Sequence, residues 1–74
     1  MKIPVIDPIA TGNKINELRQ DAGLSVKEIQ DAFGFERPQA VYHWIHGRNV
    51  PTIDNIVILA ELLNTTVDEL LIRA

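Results

Sequence analysis

Residues 25–47 constrain this chain more than any other stretch. Ser25 followed three positions later by Glu28 has the form of a capping box, in which hydroxyl and carboxylate satisfy each other's free amides at a helix start. Val26, Ile29 and Phe33 then recur at helical spacing, and Gly34 ends the run. Pro38 suits the first turn of a following helix, where a missing N–H costs nothing. Gly47 stops that helix, and Pro51 prevents its continuation. The stretch therefore predicts two short helices joined by a tight turn at Gly34, and leaves no room for a strand between them.

The flanks repeat the same grammar. Thr11 is the expected N-cap of a first helix carrying Ile15, Leu18 and Ala22, with Gly23 as its stop. Thr52 is expected to cap a fourth helix, with Asp54 favourable in its first turn. Ile53, Ile56, Val57, Ala60 and Leu63 fall on one side of that helix, whereas Ile58 and Leu62 lie nearly opposite. Thr66 with Glu69 reads as a second capping box, opening a short fifth helix that ends near Ile72. Residues 1–10 hold Ile3, Val5, Ile6 and Ile9 interrupted by Pro4 and Pro8, which predicts an extended arm packed on the domain. The expectation is an all-α fold of five helices: an N-terminal arm over 1–10 and one compact domain over 11–74, with connections too short for a linker.

Composition narrows the function classes. Seventy-four residues make one small domain. The chain has no cysteine, which fits a reducing compartment. No apolar run approaches the roughly 20 residues of a membrane span. The single Lys2 before alternating Pro, Asp and apolar residues is not a signal peptide. A cytoplasmic protein is expected, with no membrane partner. There is no nucleophile with a base, no Gly-rich phosphate loop and no carboxylate pair at catalytic spacing. Asp68 and Glu69 are explained by capping and the helix dipole. His43 and His46 stand three residues apart without a cysteine or a third ligand nearby, too little for a metal site. No enzyme activity, cofactor, metal or small-molecule ligand is implied.

The third helix carries the functional signal. With about 100° per residue, Val41, Trp44 and Ile45 share one side and Gln39, His43 and His46 the other, with Ala40 and Tyr42 on the flanks. Trp44 is the expected core anchor. An idle helix surface usually carries Glu and Lys; this one carries Gln, Tyr and His. Gln pairs bidentately with adenine, His donates to guanine or phosphate, and Ala meets a thymine methyl. Arg48 and Asn49 follow in the Gly47–Pro51 turn, where a loop would meet the sugar-phosphate backbone. A bracing helix, a turn and a helix with a hydrogen-bonding outer face make the layout of a helix-turn-helix.

The charge balance opposes that layout: seven Lys and Arg against ten Asp and Glu leave a net charge of −3, whereas nucleic-acid binders usually carry a basic footprint. The acid is uneven. Residues 34–51 hold Arg37 and Arg48 against Glu36 alone, whereas residues 52–74 hold Asp54, Glu61, Asp68 and Glu69 against Arg73 alone.

Over about residues 11–72 the chain resembles the Cro and phage-repressor (xenobiotic-response-element) type of helix-turn-helix regulator. The marks are Ile15-x-x-Leu18-Arg19, Gly23-Leu24-Ser25, Ala40-Val41-Tyr42-x-Trp44-x-x-Gly47-x-x-x-Pro51-Thr52, Asn55-Ile56-x-x-Leu59-Ala60-x-Leu62-Leu63 and Val67-Asp68-Glu69-Leu70. Ile3-Pro4-Val5-Ile6-Asp7 with Ala10-Thr11-Gly12 looks like a subgroup of small single-domain members. The resemblance implies a compact lambda-repressor-like domain that binds double-stranded DNA and regulates transcription. By position it places Gln39, Ala40 and His43 at bases, Tyr42 at the groove edge, and His46, Arg48 and Asn49 on the backbone; Arg37, in the turn, joins the backbone set. Three departures accompany it. Val26 stands where a phosphate-binding Gln is common, the turn at Phe35-Glu36-Arg37 is one residue longer, and His43 replaces a basic residue. Together they predict modest affinity.

Family members usually bind two half-sites as symmetric dimers, and Leu71 and Ile72 are the candidate dimer surface. The expected role is a repressor acting by operator occlusion. The rivals are an interaction module, such as an antitoxin or anti-repressor that kept the fold and lost DNA affinity, and a purely structural helical domain.

Overall fold

The computed structural model describes residues 3–74. Met1 and Lys2, which begin the expected arm, lie outside the described residues. Five helices run in order: α1 Pro8–Asp21, α2 Val26–Phe33, α3 Gln39–Ile45, α4 Ile53–Leu62 and α5 Val67–Leu70. They enclose one core of Ile15, Ile29, Val41, Trp44, Ile56, Leu59, Ala60, Leu63 and Leu70. All five helices contribute to it, so none can bury its apolar stripe without the others.

Four of the helices end alike. Gly23, Gly34, Gly47 and Asn64 all adopt left-handed φ of 54–74°. After each, the next amide reaches back five residues: Leu24 to the Arg19 carbonyl, Phe35 to Gln30, Arg48 to His43 and Thr65 to Ala60, at 2.9–3.0 Å. This is the Schellman closure, which satisfies terminal carbonyls and needs a residue tolerant of positive φ. The sequence signals anticipate the three glycine stops; Asn64 serves the same purpose, being the next most tolerant residue.

Helix starts follow side-chain oxygens. The Ser25–Glu28 capping box forms in both directions, each bond 3.0 Å. Thr52 caps α4 through the Asn55 amide. At α5 half of the expected box is present: Thr66 Oγ1 accepts from the Glu69 amide, but the Glu69 carboxylate accepts from the Thr65 hydroxyl at 2.9 Å instead of the cap amide.

The N-terminal expectation is corrected. Helix α1 starts at Pro8, not after Thr11, and its cap is Asp7, whose Oδ1 accepts from the Ile9 and Ala10 amides at 3.1 Å. Proline is compatible with a first helical position, so Pro8 opens a helix where a break was expected, and the extended arm is shorter. Thr11 is instead buried within α1. Its Oγ1 accepts from the Ile72 amide at 3.0 Å. The Asp7 amide donates to the Ile72 carbonyl, the Ala74 amide donates to the Val5 carbonyl, and Ile6 forms an antiparallel bridge with Arg73. These contacts strap the two ends of the chain together. They also end α5 at Leu70, two residues before the expected stop, because Leu71 turns extended to reach the strap.

The inner face of α4 also differs from expectation. Ile56, Leu59, Ala60 and Leu63 are buried, but Ile53 is 81% exposed and Val57 48%. The buried stripe is rotated toward Leu59, the residue α4 inserts most deeply.

Helices α1 and α3 meet at Gly12, which is buried. A methyl group there would overlap the Trp44 carbonyl oxygen and sit 2.6 Å from that of Ile45. Both neighbours are backbone, so neither can move aside cheaply. Gly12→Ala is expected to destabilise the fold by about 1–3 kcal/mol, read as a lower urea midpoint at unchanged slope.

Candidate DNA-binding face

The turn between α2 and α3 spans residues 34–38 and is braced from within. Gln30 is buried on α2, and its Nε2 donates to the Phe35 carbonyl at 3.1 Å while the Phe35 amide donates to the Gln30 carbonyl at 3.0 Å. Phe35 stacks on Phe33 with ring centroids 5.1 Å apart, and both rings meet Trp44 edge-on at 6.0 and 5.4 Å. The three rings join the end of α2, the turn and the middle of α3 in one contact, in geometries favoured by their quadrupoles. The turn is thus not slack: Phe35 folds back onto the core.

This brace fixes which way α3 faces. Val41 and Trp44 point inward. Gln39, Tyr42 and His46 are exposed and His43 is half-buried. They fall in two rows one turn apart, Gln39 with His43 and Tyr42 with His46. The Tyr42 and His46 rings stack, 6.0 Å between centroids at 16°. Ala40 is half-buried against the core, so only part of its methyl is free for an outside contact. Of the residues assigned to the backbone set, Arg37 and Asn49 are exposed, as is Arg48, at opposite ends of α3. The structure therefore gathers Gln39, Tyr42, His43, His46, Arg37, Arg48 and Asn49 around one exposed helix, with Ala40 set back.

Electrostatics are modest. Among the described residues the one ion pair is Lys27–Asp31 at 2.9 Å, an exposed helical pair of small worth. Arg19 is occupied with structure: its Nε and Nη2 donate to the Asn16 side chain and its Nη1 donates to the Leu24 carbonyl at 2.8 Å. Among the described residues Arg37 and Arg48 have no such partners, and both are exposed beside α3. Val26, in place of a phosphate-binding Gln, packs half-buried on the core. Among the described residues no group of three or more His, Cys, Asp or Glu could hold a metal ion. No described helix is long and apolar enough to cross a membrane.

The candidate dimer residues sit elsewhere. Leu71 is half-buried and packs on the core. Ile72 is half-buried, with amide and carbonyl both engaged by the strap. Sequence reasoning missed Gln30, Phe35 and Arg19 as the residues that hold the turn and the α1–α2 connection. The only signal for them was their place beside a helix stop, since their partners are backbone carbonyls that no side-chain pattern reports.

A helix-turn-helix family model matches residues 15–70. A search of curated protein sequences finds no match. Among solved structures, the chain is similar to the restriction-modification controller protein C.AhdI from Aeromonas hydrophila. The two are 28% identical with a TM-score of 0.76, covering 86% of this chain and 96% of that one. The DNA-binding domain of BldD aligns at 22% identity and a TM-score of 0.74, over 89% of this chain and 94% of that one. The clp gene regulator ClgR from C. glutamicum aligns at 18% identity and 0.75, over 89% and 84%. At such identities the last two attest the fold alone.

Gln30→Leu keeps the bulk of the side chain and removes the bond to the Phe35 carbonyl. It is expected to cost about 1–3 kcal/mol. Hydrogen exchange should localise the loss to faster exchange at the Phe35 amide and through 34–38, ahead of any change in α4.

Proposed function

The chain belongs to the Cro/C1-type helix-turn-helix family of sequence-specific DNA-binding transcriptional regulators, and from that premise we propose that it represses by occupying its operator as a symmetric dimer. Family and fold are those of non-enzymatic proteins, and the partner is double-stranded DNA. The observation that supports the detailed assignment is the outer face of α3, where Gln39, Tyr42 and His46 stand exposed with His43 beside them, between two arginines that are exposed and without an ion-pair partner among the described residues.

In this proposal α2 braces and α3 enters the major groove. Gln39 and His43 form the row aimed at base edges, Gln39 pairing with adenine through its two-pronged amide. The exposed part of the Ala40 methyl supplies apolar contact, and Tyr42 lies against the groove edge. Arg37, ahead of α3, and Arg48 with Asn49, after it, meet the sugar-phosphate chain on either side. They set register without carrying sequence information. Two copies place two such helices about one helical turn apart on a palindrome, with Leu71 and Ile72 contributing the parts of their side chains that the single chain leaves exposed. C.AhdI, a restriction-modification controller protein of similar fold, supports a regulatory role.

A second proposal, a protein-binding module with the same fold, is favoured by one observation, the net charge of −3. Salt dependence separates the two, because phosphate neutralisation makes DNA affinity fall steeply with ionic strength. Selection from random duplexes, with solution mass measured in parallel, is expected to enrich a palindrome and return a dimer. No enrichment at low salt would reject the operator-binding role. Arg48→Ala is expected to weaken binding to all sequences alike and to flatten the salt slope by roughly one unit. Gln39→Ala is expected to cost about 1–3 kcal/mol at one base position and to relax preference there only, read by competition against single-base variants of the selected site.

A further inference from the structure

Among the described residues, the Tyr42–His46 pair is the one aromatic stack on the outer face of α3. The rings lie one helical turn apart, nearly parallel at 16°, with centroids 6.0 Å apart. That separation lies within the range of offset aromatic stacking. Tyr42 is 45% exposed, so the stack is not imposed by surrounding core. No hydrogen bond holds either ring among the described residues. A solitary exposed tyrosine samples several rotamers and loses that freedom on docking. A ring already stacked on its neighbour has lost part of it beforehand.

His46 also stands at the helix end. It is the C-cap of α3, and its amide donates to the Tyr42 carbonyl at 2.9 Å, so backbone and side chain tie the same two residues. The cap is held by the Schellman closure at Gly47 and Arg48. The imidazole thus stands on a fixed base and Tyr42 leans on it. Among the described residues, no side-chain hydrogen bond joins the parallel row, Gln39 with His43.

We infer that His46 is a positioning residue for sequence reading: it acts through Tyr42, holding the phenol ring against a pyrimidine edge in the groove, and is not itself a phosphate contact. This deepens the groove-reading role of α3 and rests on it. The base feature that fits a flat, fixed ring is an apolar one, the thymine C5 methyl group. Tyr42 and His46 then discriminate one base pair together, as a unit.

The test compares the unmodified chain with Tyr42→Ala, His46→Ala, His46→Phe and the Tyr42→Ala/His46→Ala double variant. All are titrated against the selected duplex, against duplexes with thymine replaced by uracil one position at a time, and at several salt concentrations. His46→Ala is expected to reduce discrimination at the one thymine that Tyr42→Ala also affects, by roughly three- to tenfold, with no further loss in the double variant. His46→Phe, which keeps a flat ring and loses the imidazole nitrogens, is expected to restore the discrimination. In the free protein, the Tyr42 ring protons are expected to keep their ring-current shift in His46→Phe and to lose it in His46→Ala. Thermal melting checks that every variant is folded.

If His46→Ala and His46→Phe instead weaken all duplexes equally and flatten the salt slope, His46 is a phosphate contact and the positioning role is overturned. Additive losses in the double variant overturn it as well. Failure of the unmodified chain to prefer any duplex would overturn the groove-reading role itself, and the outcomes are distinct because that failure precedes any substitution.

Discussion

The structure hangs on the crossing of α1 and α3. Helix α3 has seven residues, too few to be stable alone, because nucleating a helix costs more than one or two turns return. It exists because its inner face is clamped. Gly12 lets the α1 backbone come against the carbonyls of Trp44 and Ile45, and Trp44 receives Phe33 and Phe35 from the other side. A side chain at position 12 would push α3 outward, and every residue of its outer face would move with it. The exposed chemistry is thus set by a contact containing no side-chain atom from one of its partners.

The same economy governs the turn. A five-residue turn over 34–38 could have left α3 free to swivel. Instead Gln30, a polar residue buried on α2, engages the Phe35 carbonyl, and no buried side-chain nitrogen or oxygen is left without a partner among the described residues. A satisfied buried polar group restricts the core to one arrangement, whereas an unsatisfied one would cost on the order of 1–3 kcal/mol. Arg19 does comparable work at the Leu24 carbonyl before α2. Two residues whose types suggest surface chemistry are therefore framework, and among the described residues the arginines left exposed at the ends of α3 are Arg37 and Arg48. The net charge of −3 therefore coexists with two exposed arginines, one at each end of α3.

The strap between the chain ends has a related effect. Residues 5–7 pair with 72–74, and Thr11 receives the Ile72 amide. This binds α1, the helix that seats α3, to the segment following α5. Half-burial of Leu71 and Ile72 follows from the same pairing, which leaves the most exposed large apolar side chains on α4 at Ile53 and Val57 and near the N-terminus at Ile3, Val5 and Ile9.

How much of this could be read without coordinates depends on whether the cause was local. Helix number, the stops at Gly23, Gly34 and Gly47, the Ser25–Glu28 box and the inward Trp44 were legible, because capping, positive φ and helical periodicity act within about five residues of sequence. The outward set of Gln39, Tyr42, His43 and His46 followed from the same periodicity. What tertiary structure decided was everything that depends on approach between distant segments. It moved the start of α1 to Asp7 and Pro8 and turned Thr11 from a cap into a buried acceptor. It drew Ala40, Leu71 and Ile72 toward the core, exposed Ile53 and Val57, and assigned Gln30 and Arg19 to backbone carbonyls. Sequence by itself determined which elements form and, for α2 and α3, which side each helix buries. Only the packed fold decided which of those polar and apolar groups remain free, because burial and backbone hydrogen bonding are settled by neighbours as far apart in sequence as Val5 and Ala74, beyond the reach of any local pattern.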